Sequence, residues 1–195
     1  MARTLNGRVI PVLTADSADD AVRACEALLA GGLTSVEITF RTDAALEAIR
    51  LASQLDGLVV GAGTVLTESQ LGAALDAGAQ FAVAPSTNAA VVRAAQRAGV
   101  AFVPGAATPT EIDLARSLGC DVVKIFPAAV VGGTAFIKAV TPVFPGVKFI
   151  PTGGITAENV GEYLALPSVL ACGGTWITAR PDGIEERARA AAVFE

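Results

Sequence analysis

Eight short runs rich in β-branched residues alternate with eight alanine-rich helical stretches along this chain of 195 residues. That alternation predicts an α/β fold, a single-domain (β/α)8 barrel spanning residues 1–195. Composition agrees: 52% of the residues are hydrophobic and only 5% aromatic, a mixture suited to helices packed on a buried parallel sheet. The rival is an open doubly wound sheet. It needs a strand-order switch, which nothing in the chain marks, and the GxGxxG turn after a first strand is missing. Eight units leave roughly 24 residues each, compact but sufficient for a barrel.

The first unit pairs the apolar run Val9–Leu13 with the helical stretch Ala18–Ala30, which Gly31-Gly32 ends. Ser35–Phe40 is the second strand, alternating in character, and Asp43–Gln54 the helix behind it. Leu58–Gly61 leads into Glu68–Ala77, stopped by Gly78, and Gln80–Ala84 into Ala89–Ala98, stopped by Gly99. Ala101–Val103 precedes Pro109–Leu118 and Gly119. The last three strands are Asp121–Phe126, Lys148–Ile150 and Val169–Ala171, with helices at Ala135–Val140, Ala157–Leu164 and Ile184–Val193. A glycine just past a helix takes the left-handed conformation that satisfies its last carbonyls. Several of the helices start after a Ser, Thr, Asn or Asp able to cap the amino end.

Composition also excludes chemistry. The chain has no histidine, so Ser-His-Asp and Cys-His nucleophile systems, histidine metal sites and imidazole proton transfer are all ruled out. Cys25, Cys120 and Cys172 are odd in number, far apart and without CxxC spacing. They read as small buried residues rather than disulfides or zinc ligands. A net charge of −5 without a basic cluster argues against nucleic acid as a partner. No apolar stretch approaches the ~20 residues that span a bilayer, and the first residues lack the apolar core of an export signal, which points to the cytoplasm.

The feature that carries function is Lys124, one of three lysines, set in the apolar run Asp121-Val-Val-Lys-Ile-Phe-Pro127. A lysine there should lie on a buried strand, where the ammonium form loses hydration and the amine can attack a ketone. In the sixth strand the apolar pair Val123 and Ile125 suits the helix-facing side, which turns Val122, Lys124 and Phe126 inward. The same alternation turns Glu37, Thr39 and Arg41 of the second strand inward. Even-numbered strands share lumen layers, so Glu37 and Lys124 are expected to face each other. A carboxylate, a guanidinium and an amine at one end of a barrel suit proton transfer and covalent catalysis better than a packing role.

Glycines follow the strands at Gly61-Ala-Gly-Thr64, Pro104-Gly105, Pro151-Thr-Gly-Gly154 and Cys172-Gly-Gly-Thr175. Read as turns, their amides can surround an anion, and loops seven and eight are where barrels usually hold phosphate.

With these motifs in order, the chain resembles the class I 2-keto-3-deoxy-6-phosphogluconate (KDPG) and 4-hydroxy-2-oxoglutarate (KHG) aldolases, from about residue 9 to 176. The landmarks are Val36-Glu-Ile-Thr-Phe-Arg-Thr42, Gly61-Ala-Gly-Thr-Val-Leu66, Lys124-Ile-Phe-Pro127, Pro151-Thr-Gly-Gly-Ile155 and Gly173-Gly-Thr-Trp176. The resemblance implies that Lys124 forms the Schiff base and Glu37 is the acid/base carboxylate. It further implies that Arg41 and Thr64 hold the pyruvyl carboxylate, that Pro85 and Phe126 line the pocket, and that Thr152, Gly153, Gly154, Gly173, Gly174 and Thr175 meet the phosphate and substrate hydroxyls. A homotrimer without metal or organic cofactor is implied, with small-molecule partners only: the sugar acid phosphate and pyruvate. Alternatives are the galactonate-derived isomer as substrate, another phosphate-binding barrel such as an isomerase or thiamine phosphate synthase-like transferase, and a non-catalytic phosphosugar-binding barrel.

Overall fold

β1 (Val9–Leu13) lies parallel between β2 (Ser35–Thr39) and β9 (Cys172–Gly174), and from it the sheet can be followed round in both directions. The structure is a computed structural model that describes residues 7–195. On one side β2 pairs with β3 (Val59–Gly63), β3 with β4 (Phe81–Val83) and β4 with β5 (Ala101–Val103). After Pro104 the same stave continues as β6 (Gly105–Ala106), which pairs with β7 (Val122–Ile125), and β7 with β8 (Lys148–Pro151). Parallel bridges Phe149↔Val169 and Thr152↔Gly173 then join β8 to the β9 stave. The circuit closes, with nine strand segments forming the eight staves of a barrel. The break at Pro104 is chemical: proline has no amide proton to give to the ladder. Its carbonyl still accepts from the amide of Lys124 at 2.8 Å, so the stave is interrupted without losing its grip on β7.

The helices are α1 (Ala18–Ala30), α2 (Ala45–Ala52), α3 (Glu68–Asp76), α4 (Ala89–Ala98), α5 (Pro109–Ser117), α6 (Gly133–Val140), α7 (Val160–Leu164) and α8 (Ile184–Ala191). Two apolar clusters separate the layers. The larger joins the helices to outward strand residues such as Val36, Ile38, Val123 and Ile125. The smaller fills the lumen with Ile10, Phe81, Val83, Val103, Val122, Ile150 and Ala171. Val122 therefore points inward and its neighbour Val123 outward, as the alternation of the run requires.

Most expected elements stand within a few residues of their observed ends, and Val9–Leu13, Ala18–Ala30, Ala89–Ala98 and Ala101–Val103 coincide. Glycines following helices have positive φ at Gly32, Gly78, Gly99 and Gly119. Three expectations are corrected. The eighth strand is Cys172–Gly174 and not Val169–Ala171, because the ladder to β1 begins where the Cys172 amide donates to Arg8 O. The glycines there are strand residues, not a turn. The seventh helix starts at Val160, since Asn159 accepts from the Thr156 amide at 2.9 Å and donates to Gly154 O at 3.0 Å, holding those residues in a local turn. The second helix starts at Ala45, with no side chain capping it.

Cys25 and Cys172 are buried, and burial pushes each thiol up to about 12; Cys120 is half-buried and pushed up for the same reason. A thiolate-selective reagent at neutral pH is expected to leave Cys25 and Cys172 unmodified in the folded protein and to label all three after unfolding. Rapid labelling of either buried thiol in the native state would contradict this packing.

Candidate active site

Lys124 Nζ lies 2.9 Å from Glu37 Oε1 and 3.1 Å from Oε2, inside the barrel. The side chains are 6% and 4% exposed. The other ion pairs among the described residues are at the surface, each side chain at least 45% exposed. Burying opposite charges costs desolvation that an apolar pair of the same shape avoids. This pair is therefore poorly explained by stability and well explained by chemistry: an amine with a carboxylate within proton-transfer distance.

Three backbone devices hold it. On β7, Lys124 is flanked in register by Gly105 of β6 and Ile150 of β8. Gly105 leaves room for Pro85: a Cβ there would sit 2.2 Å from the Pro85 carbonyl carbon. That brings Pro85 to the stave beside Lys124. On β3, a Cβ at Gly61 would lie 2.1 Å from the Phe81 ring, and one at Gly63 would lie 2.3 Å from Glu37 Oε1. Neither glycine has positive φ, so Gly61 and Gly63 are strand residues that admit neighbours, which corrects the reading of this segment as a turn. Gly63 in particular is the recess into which the Glu37 carboxylate fits, a role that sequence reasoning missed.

Gly63→Ala is expected to fold with a lowered melting temperature, because its methyl would meet Oε1, Cγ and Cδ of the buried Glu37 at 2.3, 2.6 and 2.8 Å and must push that side chain aside. The same methyl displaces the carboxylate from Lys124, so turnover should fall by about 10²-fold or more, as for loss of a positioned acid–base group. Melting temperature and steady-state rate, measured together, check this; an unchanged rate would show that the recess is not needed.

Thr64 follows Gly63 at φ 59, the one non-glycine residue in the left-handed region among the described residues. A β-branched residue is strained there, and the strain falls at a position expected to bind substrate. The Phe126 ring centroid is 5.8 Å from Lys124 Nζ. The segment after it is tied to the seventh-strand turn, as Ala128 N donates to Thr152 O at 2.8 Å and Ala129 N to Gly153 O at 3.0 Å. Thr152 is buried, and its Oγ1 has no hydrogen-bond partner among the described residues. A Cβ on Gly173 would come within 2.4 Å of that oxygen. Gly153 and Gly154 do form a turn, at φ 93 and 78. No hydrogen bond among the described residues uses the amides of Gly153, Gly154 or Thr175. Gly173 and Gly174, expected in a turn, lie in β9, where a side chain on Gly174 would collide with the Trp176 ring at 2.1 Å.

Arg41 departs from expectation. β2 ends at Thr39, and a tight bend follows in which Arg41 N donates to Thr39 O at 2.8 Å. The strict inward alternation stops there. Arg41 is exposed and lines a surface depression with Asp43, Leu46 and Gln70; its side chain makes no ion pair among the described residues. One more polar feature sits above Glu37: Thr39 is buried, and its Oγ1 is 2.7 Å from Thr14 Oγ1. Among the described residues no three His, Cys, Asp or Glu side chains converge as metal ligands, and no helix is long and apolar enough to cross a membrane.

A barrel with a buried lysine held by a carboxylate defines a class of covalent, imine-forming lyases. The chain belongs to the KDPG and KHG aldolase family, whose family model matches residues 2–190. It is 47% identical over 171 residues to the 2-dehydro-3-deoxy-phosphogluconate aldolase of Treponema pallidum, covering 87% of this chain and 81% of that protein. The fold matches the crystal structure of 2-keto-3-deoxy-6-phosphogluconate aldolase from Zymomonas mobilis with a TM-score of 0.95 at 40% identity, over 98% of this chain and 95% of the other. It also matches KDPG aldolase from Legionella pneumophila, in which pyruvate was captured at low pH as a covalent carbinolamine, with a TM-score of 0.88 at 36% identity over 98% and 93% of the two chains.

Proposed function

We propose that this chain is a class I aldolase that cleaves KDPG to pyruvate and glyceraldehyde 3-phosphate, and 4-hydroxy-2-oxoglutarate to pyruvate and glyoxylate. The observation that carries the reading is the buried Lys124–Glu37 pair, 2.9 Å apart inside the barrel. In this mechanism Glu37 takes a proton from Lys124, and the freed amine attacks the C2 ketone to give a carbinolamine. Glu37 returns that proton to the carbinolamine hydroxyl, which leaves as water, and the protonated imine that remains accepts electrons. Glu37 then accepts the C4 hydroxyl proton as the C3–C4 bond breaks. The aldehyde departs, the enamine is protonated at C3, and hydrolysis releases pyruvate and returns Lys124.

The remaining residues bind. Thr64 and the unpaired Arg41 hold the substrate carboxylate, the guanidinium reaching in from the rim as a planar fork. Pro85 and Phe126 wall the imine. The Thr152 hydroxyl, without a partner among the described residues, bonds a substrate oxygen. Gly153, Gly154 and Thr175 offer free amides, with the Thr175 hydroxyl, to the phosphate, while Gly173 and Gly174 keep the β9 side of the mouth open. Binding that remote group helps stabilise the reacting end. One domain carries the whole activity, and no step requires a metal or organic cofactor.

We further infer a homotrimer, since Val130 at 82% and Val143 at 64% exposure are apolar surface that subunit contact would cover. We place the protein in the cytoplasm, where its three free thiols suit a reducing environment.

A coupled assay for pyruvate tests the proposal. Release from KDPG that survives a chelator is the expected result; no release from either substrate would support the non-catalytic barrel. Faster cleavage of the galactonate-derived epimer would shift the assignment to that isomer.

A further inference from the structure

We propose that the Thr14–Thr39 hydroxyl pair is a specificity subsite that recognises the substrate's C5 hydroxyl, the hydroxyl next to the carbonyl in the released aldehyde. The inference rests on the aldolase reading above and adds to it a group outside the binding residues already assigned.

Its basis is position around the barrel. The staves run β7, β8, β9, β1, β2, carrying in turn Lys124, Thr152, Gly173 with Gly174, Thr14 just past the end of β1, and Glu37 with Thr39. Val12 is level with Glu37 and Leu13 with Ile38, so Thr14 and Thr39 form the next layer toward the mouth. Thr39 stands opposite Gly63 on its other side, where β3 contributes no side chain and the Glu37 carboxylate lies. The connection after β9 is fastened to the end of β1: Thr178 Oγ1 donates to Val12 O at 2.6 Å, and Thr178 N to Thr175 O at 3.0 Å. Thr14 therefore lies between the Thr175 amide and the Glu37 carboxylate.

A substrate with C4 at Glu37 and its phosphate at the β8 and β9 ends must carry C5 across that interval. Two hydroxyls 2.7 Å apart use one proton in their own hydrogen bond. The second proton and the spare lone pairs remain for a third hydroxyl, which can both donate and accept. Thr14 is exposed, so a ligand can reach it. Hydroxyoxoglutarate has a carboxylate at C5 and cannot make the same contact.

The test is condensation of pyruvate with glyceraldehyde 3-phosphate against 3-oxopropyl phosphate, which lacks the hydroxyl beside the aldehyde. Thr14→Val and Thr39→Val should each lower kcat/KM for the hydroxylated aldehyde by roughly fivefold to tenfold, the worth of one neutral hydrogen bond. Its advantage over the deoxy aldehyde should shrink by the same factor, and Thr39→Ser should restore it. Thr14→Val alters an exposed side chain and reads out even if the buried Thr39→Val fails to fold. An unchanged preference, or an equal loss with both aldehydes, overturns the subsite. Wild-type protein that condenses pyruvate with neither aldehyde overturns the aldolase reading itself, and the subsite with it.

Discussion

Replacing Lys124 by methionine is expected to lower pyruvate release by at least about 10⁴-fold, the scale on which loss of a covalent nucleophile acts. The substitution also leaves the Glu37 carboxylate buried without its partner. Breaking one side of a buried pair costs about 3 kcal/mol or more, so the variant should unfold at lower denaturant while keeping its circular dichroism. The double variant Lys124→Met, Glu37→Gln removes both charges and should recover part of that stability, though none of the activity. A single variant as stable as the wild type would mean that water already reaches the pair and that the mouth is wetter than 6% and 4% exposure indicate. Retained turnover in Lys124→Met would end the covalent mechanism outright.

Glu37→Gln separates the chemical steps. The amine survives and can lose its proton to water, so pyruvate should still form an imine, more slowly, but no carboxylate remains 2.9 Å away to move protons at carbon. Cleavage should fall by roughly 10²- to 10⁴-fold, the range for a positioned general acid–base group. The sharper readout is exchange of the pyruvate methyl protons with deuterated solvent, which requires the enamine and not the aldehyde. Exchange should collapse together with cleavage while reductive trapping of the imine persists. Normal exchange in this variant would move the base to another residue.

Much of this site is legible in the chain because a strand has a two-residue period. Val122 and Val123 enter different apolar clusters, and Val36 and Ile38 both enter the helix-facing one; that alternation places Lys124 and Glu37 in the lumen. The period fails where the strand does. β2 stops at Thr39, so Arg41 lies on the rim and not in the next inward layer. Glycines are harder to read, since the same residue serves a turn and a tight contact. Gly153 and Gly154 are turns, whereas Gly61, Gly63, Gly105, Gly173 and Gly174 lie in strands and make room for Phe81, Glu37, Pro85, Thr152 and Trp176. All but the local Gly174–Trp176 contact join separate staves and are invisible until the barrel closes. The Thr14–Thr39 bond is hidden for the same reason: 25 residues separate its ends, and only the β1–β2 register makes them neighbours. The glycine run of β9 hid the eighth strand because a strand of Cys-Gly-Gly has little β propensity of its own. Its conformation is imposed by pairing with β1.

Lys124 can be asked directly whether it does what is claimed. The protein is incubated with pyruvate, reduced with borohydride, digested and sequenced by mass spectrometry. A carboxyethyl group on the Lys124 side chain, dependent on pyruvate and absent from Lys138 and Lys148, is the expected result. Full recovery of unmodified Lys124 under conditions where the same protein releases pyruvate from KDPG would show that cleavage proceeds without the imine, and the mechanism built on the buried pair would be wrong.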